Sequence, residues 1–320
     1  MKSTAVPSPV MVKVPTASRA CVVEAVSTIA DAARLPPRNP MLAFLVFHLV
    51  FLPYALLVFL HSLFSSPLLE RIEDSPSLDM NIMRELAARE SVFFFLFSAV
   101  SFIGMMLVVR GSDLVYAGID EELGIRGLLT RVWSPWRIPL VAWTLVSVLV
   151  STIVCGIMYL ATVQLVKGVN IWWSCLAMAF AAVSYLWLVA IGNLFLVVSV
   201  LEDRIGNLKS VATRSWKLMR GKWKEGFWIM LVLETMSIPI YVVFSVTTTD
   251  DDDTLRLVTR LGFGYAATAL FCIARFFSFV VFTVFYHGCR KCHGEKLGTE
   301  LVLGRCYNAV IPDDSDLSIP

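Results

Sequence analysis

Charge is what this sequence has least of. Of its 320 residues, 16% are charged and 57% hydrophobic, with a mean hydropathy of +0.73. A water-soluble domain carries about a quarter charged residues, because its surface must face solvent. A soluble globular protein is therefore excluded. The net charge of +2 is too small for a surface that tracks phosphates, which argues against nucleic acid as a partner. The seven cysteines are an odd number. Cys155, Cys175 and Cys272 fall inside apolar stretches, so no disulfide framework is expected. Catalytic signatures are absent too: there is no His-Glu-x-x-His, no Gly-x-Ser-x-Gly, no Walker sequence and no dinucleotide fingerprint. The expectation is a non-enzymatic protein with no catalytic, cofactor-binding or metal-ligating residues and no cofactor.

What fills the chain instead is six long apolar runs: 41–64, 91–109, 139–166, 171–200, 226–247 and 262–287. Each approaches or exceeds the roughly 20 residues that cross a ~30 Å hydrocarbon core at about 1.5 Å per residue. Only 91–109 sits near the lower limit. Lipid offers no partner to a backbone N–H or C=O, so each run reads as a helix and not a strand. The fold class is all-α: a polytopic membrane protein of six transmembrane helices with amphipathic helices on the cytosolic interface.

Lysine and arginine alternate between the gaps. Segments 1–40, 110–138, 201–225 and 288–320 hold 20 of them, against 6 in 65–90, 167–170 and 248–261, with Arg275 left inside the last run. Cytosolic loops carry the excess of Lys and Arg, so both termini are expected in the cytosol. The expected organisation is a disordered cytosolic arm over 1–40, a transmembrane domain over 41–287 and a cytosolic tail over 288–320. Location in the endomembrane system or plasma membrane follows. The arm is rich in Ala, Ser, Val and Pro, with Val22–Ala33 a candidate short helix on the membrane surface; a transit peptide is the alternative reading. Trp133, Trp136, Trp216, Trp223 and Trp228 fall at the expected cytosolic boundary, and Trp172 and Trp173 at the outer one, as an aromatic belt requires. Lys167–Asn170 is so short a link that the third and fourth spans must be antiparallel neighbours.

The 201–225 loop is the most informative segment. Ile205, Leu208, Ala212, Trp216, Met219 and Trp223 recur at helical spacing and form one stripe. Arg204, Lys209, Arg214, Lys217, Arg220, Lys222 and Lys224 flank and oppose it. A basic face with tryptophan beside it is the make-up of an interfacial helix drawn to anionic lipid. The candidate lipid-facing residues are Arg214, Trp216, Lys217, Arg220, Trp223 and Lys224; the bland alternative is a helix packed across the bundle's cytosolic end. The 110–138 loop repeats the pattern more weakly through Ile125, Leu128, Leu129, Val132 and Trp133.

Three segments carry a resemblance. Ser199-Val-Leu-Glu-Asp-Arg-Ile-Gly206 with Ala212-Thr-Arg-Ser215-Trp and Leu218-Met-Arg-Gly221, Val115-Tyr116 with Trp133–Arg137, and Tyr286-His-Gly-Cys-Arg-Lys-Cys-His-Gly294 resemble the loops and last-span end of a plant family of six-span membrane proteins. Labels of that family mention binding to a polyadenylate-binding protein. Its membrane region is distantly similar to the membrane domain beside some glycerophosphodiester phosphodiesterases. The resemblance covers roughly 40–310, implies the fold and brings no active site.

Inside the spans, Arg275 costs about 2.5–3.5 kcal/mol and needs a partner or water. Glu234 is the one acidic residue well inside a span, so an intramembrane ion pair between Glu234 and Arg275 is expected. His48, His61, Gln164 and Asn193 read as polar contacts between helices. Pro53 and Pro239 interrupt two spans and free a carbonyl in each. Cys289-Arg-Lys-Cys292-His293 matches the spacing for haem attachment, but that chemistry belongs outside the cytosol. Palmitoylation of Cys289 or Cys292 is the better reading, and a zinc site with His287 and Cys306 lacks a second ligand pair. Asp250–Asp253 reads as a solvated loop tip. The functional expectation is a protein that organises membrane lipid or a protein partner at the cytosolic face. The alternative is a small-solute or ion transporter or channel using Glu234 and Arg275.

Overall fold

The computed structural model describes residues 17–73, 80–118, 136–167, 171–202, 206–248 and 254–295. These hold nine α-helices and no strand: α1 (Ala17–Ala33), α2 (Leu35–Arg38), α3 (Pro40–Glu73), α4 (Met80–Tyr116), α5 (Arg137–Lys167), α6 (Ile171–Leu201), α7 (Leu208–Met219), α8 (Trp223–Thr248) and α9 (Thr254–Cys292). Five of them are long and apolar enough to cross a membrane, within Ala43–His61, Met80–Tyr116, Arg137–Val163, Cys175–Leu201 and Gly264–Cys292. That is the make-up of a multi-pass membrane protein. Each of the six apolar runs lies within a single helix, the run 226–247 on α8. That helix is not among the five; its described part carries Lys224, Glu225 and Glu234.

The spans are rich in Val, Ile and Thr, which favour strands in water, yet they are helical because each backbone bond must close within its own segment. Their hydroxyls follow the same rule. Thr144 donates to the Leu140 carbonyl at 2.9 Å, Thr152 to Val148 at 2.8 Å and Thr162 to Met158 at 2.9 Å, so each polar group is satisfied on its own helix.

Helix α9 is the hub. Its 39 residues span roughly 58 Å at 1.5 Å per residue, and it packs against α1, α3, α4, α6, α7 and α8. Residues 278–287 are buried without a break, the pattern of a helix surrounded on all sides. The core gathers at one end: Met105–Val109 on α4, Leu194–Val198 on α6, Val211 and Leu218 on α7, Ile229 and Met230 on α8, and Phe279–Tyr286 on α9. Helices α5 and α6 pack along each other, and among the described side chains of α5 only Pro139 and Ala142 are buried. Close approach of α3 and α4 depends on Gly104, where an added Cβ would stand 2.8 Å from Val50 Cγ1.

The N-terminal arm departs from expectation. Residues 17–38, read as part of a disordered segment with a surface helix at Val22–Ala33, form α1 and α2, and α1 packs onto α8 and α9. Ala25 and Ala32 are buried with Ile29 beside them, a stripe at i, i+4, i+7 whose small members let α1 come close. Residues 119–135, with the weaker amphipathic pattern, the acidic run 250–253, and the tail from 296 onward with Cys306 lie outside the described residues.

Candidate functional site

Polar side chains converge at the crowded end, where α6, α7 and α9 finish or begin. Glu202 directly follows α6. Its Oε1 accepts hydrogen bonds from Arg214 Nε on α7 at 3.1 Å and from the Tyr286 hydroxyl on α9 at 3.0 Å. The other side of the Arg214 guanidinium donates to Glu295 Oε2 at 2.5 Å, which also receives Arg290 Nε at 3.1 Å. Arg290 in turn lies over the Tyr286 ring, 5.7 Å from its centroid. Tyr286, Glu202, Arg214, Glu295 and Arg290 thus close a circuit of two carboxylates and two guanidiniums. The charges balance, and the planar guanidinium of Arg214 serves two acceptors at once. The hydrogen bond from Arg214 holds the Glu295 carboxyl below its ordinary value despite partial burial. Glu295 in return holds Arg214 above its own against desolvation.

A second cluster adjoins it. His287 Nε2 lies 3.0 Å from Asp113 Oδ1 on α4, and the His287 ring stacks on Tyr116 at 4.4 Å with a 5° interplanar angle. Lys291 Nζ donates to the Tyr116 hydroxyl at 3.3 Å. These contacts fasten the end of α4 to the end of α9.

The third cluster explains why α1 is ordered. Glu225 is 3% exposed and stands in the first turn of α8, where a carboxylate complements the helix dipole. Lys222 Nζ donates to its Oε2 at 2.6 Å, and the Thr28 hydroxyl of α1 donates to Oε1 at 2.8 Å. Both oxygens of a buried charge are thereby filled. Burial pulls the Lys222 ammonium down, but the hydrogen bond and charge of Glu225 outweigh it, so Lys222 stays above its ordinary value.

Helix α7 turns a different face inward from the one its apolar spacing suggests. Val211, Ser215, Leu218 and Met219 are buried, whereas Trp216 is 54% exposed and Ala212 is exposed with it. A serine can take the inner position because its hydroxyl donates to the Val211 carbonyl at 2.9 Å, and its small size lets the helix approach the bundle. The tryptophans do not need to be inside, because a ring with an N–H handle suits a membrane interface. Trp216 meets Trp187 of α6 edge to face at 6.0 Å. Trp223, half exposed, and Lys217, Arg220 and Lys224 lie exposed nearby. Arg214 is corrected: it faces the carboxylate circuit, not outward. Gly221, at φ 106, makes the tight turn into α8 that a Cβ would strain.

In mid-bundle, Glu234 on α8 accepts a hydrogen bond from Tyr185 of α6 and lies within electrostatic range of Arg275 on α9. Arg275 rests near the Phe271 ring, 5.7 Å to its centroid. Of the other polar residues, His61 reaches Glu90 on α4 at 2.9 Å and Asn193 reaches Met230 Sδ on α8 at 3.7 Å. His48 instead approaches the Phe44 carbonyl of its own helix at 2.8 Å; the Gln164 side chain lies outside the description. Cys289, near the end of α9, is fully buried, which removes it as an acylation candidate, whereas Cys292 is exposed. Among the described residues no group of three or more His, Cys, Asp or Glu side chains could hold a metal ion.

Sequence reasoning missed Glu202, Asp113, Glu225 and Glu295. The available signal was acidic residues standing at helix ends among a basic majority. A family model described as Domain of unknown function (DUF8558) matches residues 40–304. No curated protein and no solved structure matches the chain.

Proposed function

We propose that this chain, which belongs to the DUF8558 family over residues 40–304, is a six-span, non-enzymatic membrane protein that gathers anionic lipid at its cytosolic face. The run 226–247 on α8 is the sixth span, and an even number of crossings returns both termini to the cytosol. Lysine and arginine counts of 20 against 6 support that orientation. Helix α7 is the interfacial helix.

The observation that carries the reading is the outer face of α7. With Val211, Ser215 and Leu218 turned to the core, Lys217 and Arg220 stand exposed beside Trp216, and Trp223 and Lys224 follow. Lys224 lies 5.5 Å from the centroid of the Trp223 ring, so cation and aromatic share one patch. Each basic group near an anionic surface contributes about 1 kcal/mol, so three give a several-fold local enrichment even after screening.

The test is reconstitution of the full chain in nanodiscs of phosphatidylcholine mixed with phosphatidylserine, followed by mass spectrometry of the retained lipid. The wild type should retain excess phosphatidylserine, and Lys217→Gln/Arg220→Gln/Lys224→Gln should lose the excess while melting at an unchanged temperature. Equal retention by both proteins would end the proposal.

A further inference from the structure

A cavity of about 150 Å³ lies between α3, α4, α5 and α9 and is partly open at the surface of the bundle. Its wall is apolar and aromatic, with Phe47, Val50, Phe276 and Phe279 prominent, and one charged group lines it: Arg275. That arginine is 21 residues from the start of α9 and 17 from its end, midway along a helix built to cross the membrane. The described contacts of its guanidinium are the Phe271 ring and, through space, the charge of Glu234. Glu234 is already engaged with Tyr185 on the α6 side. The five N–H donors of a guanidinium thus lie beside a mostly apolar cavity that offers the Tyr54 and Ser101 hydroxyls but no carboxylate.

We propose that this cavity is a binding site for a single-chain amphiphile with a carboxylate head, such as a long-chain fatty acid, whose head pairs with Arg275. Four features select that chemistry. A cation at mid-bilayer depth is stabilised by a counter-charge delivered through lipid, and a fatty acid reaches such a site by partitioning. The volume matches a small planar head and a few methylenes, since an engineered cavity of about 150 Å³ accommodates benzene; a glycerophosphate head group is larger. The opening lets the remaining chain run out along the bundle's apolar exterior. The carboxylate matches the guanidinium fork in bidentate geometry. Glu234 is then the competing intramolecular anion, which sets the affinity.

Trp143 lines the same cavity and reports occupancy. The full chain in phosphatidylcholine nanodiscs is titrated with dibromostearic acid, and separately with its methyl ester, while tryptophan fluorescence is recorded. The acid should quench at roughly tenfold lower membrane concentration than the ester, the ratio that about 1.4 kcal/mol of head-group discrimination produces. Trp143→Phe should remove most of the acid-specific quenching. Arg275→Gln should abolish the preference for acid, Arg275→Lys should keep part of it, and Glu234→Gln should increase it by freeing the guanidinium. The Lys and Glu234 variants retain a test if Arg275→Gln fails to fold. Equal quenching by acid and ester in the wild type would overturn the proposal, as would a preference that survives Arg275→Gln or falls in Glu234→Gln. None of these variants touches the outer face of α7, so failure here leaves the lipid-gathering role standing, and the reverse.

Discussion

The Tyr286 hydroxyl donates to Glu202 Oε1 at 3.0 Å, joining residues 84 positions apart at the point where α6 ends and α9 is still buried. The same carboxylate oxygen holds Arg214, so one acceptor fixes the angle between α6, α7 and α9. Replacing Tyr286 by Phe keeps the ring packing and the Arg290 contact but removes the donor. The expected loss is about 1.5–3 kcal/mol, the usual contribution of one hydrogen bond to a charged group. It would be read as a lowered melting temperature of the detergent-solubilised protein by thiol-reactive dye. Glu202→Gln should cost more, because it also removes the charge opposite Arg214. A Tyr286→Phe protein that melts with the wild type would show the bond to be incidental.

The Glu295 link should respond to acid. Folding lowers the Glu295 pKa through its hydrogen bond from Arg214, so the folded state is favoured when the carboxyl is ionised. That stability is present above the ordinary glutamate value of about 4.3, and it is lost as pH falls through the lowered folded-state value. Limited proteolysis at descending pH should show cleavage near residue 295 accelerating only below the ordinary glutamate range. In Glu295→Gln the acceleration should already be present at neutral pH, and a wild-type cleavage rate independent of pH would refute the link.

Thr28 and Lys222 share a buried carboxylate but should not be equivalent. Thr28→Ser keeps the donor to Glu225 and is expected to be near neutral, whereas Thr28→Val leaves one buried oxygen short and should cost about 1–3 kcal/mol. Lys222→Ala strands a buried charge and should cost about 3–5 kcal/mol. Protease protection of α1 should fall in the same order. Protection retained in Lys222→Ala would mean that the apolar stripe of Ala25, Ile29 and Ala32 alone docks the helix.

Gly104 sets the separation of α3 and α4. Gly104→Ala puts a methyl group 2.8 Å from Val50 Cγ1, and a branched side chain in a packed interface has little room to yield, so about 1–3 kcal/mol should be lost. Val50→Ala should restore most of it in the double variant. Additive losses in the thermal melts would contradict this reading.

The two cysteines at the end of α9 should react differently. Cys292 is exposed and Cys289 fully buried, so a maleimide reagent applied to the folded protein should label Cys292 and spare Cys289 until denaturant is added. Metabolic labelling with an alkyne palmitate should likewise depend on Cys292 alone. Labelling that persists in Cys292→Ser and vanishes in Cys289→Ser would reverse the assignment.

The helical class of this protein was determined by its sequence, because lipid leaves the backbone no partner but its own segment, and runs such as 139–166 and 171–200 carry that constraint openly. The amphipathic character of the segment after α6 was legible for a similar reason, since a 3.6-residue period is a local property. Which side of that helix faces inward was not. Ser215 inside and Trp216 outside depend on the close approach of α7 to the bundle and on a neighbouring tryptophan from α6. The docking of α1 depends on Glu225, some two hundred residues away, whose burial creates the demand that Thr28 meets. The circuit of Tyr286, Glu202, Arg214, Glu295 and Arg290 likewise needs three helix ends brought together, because a charge has no fixed partner until folding supplies the distance and removes the water.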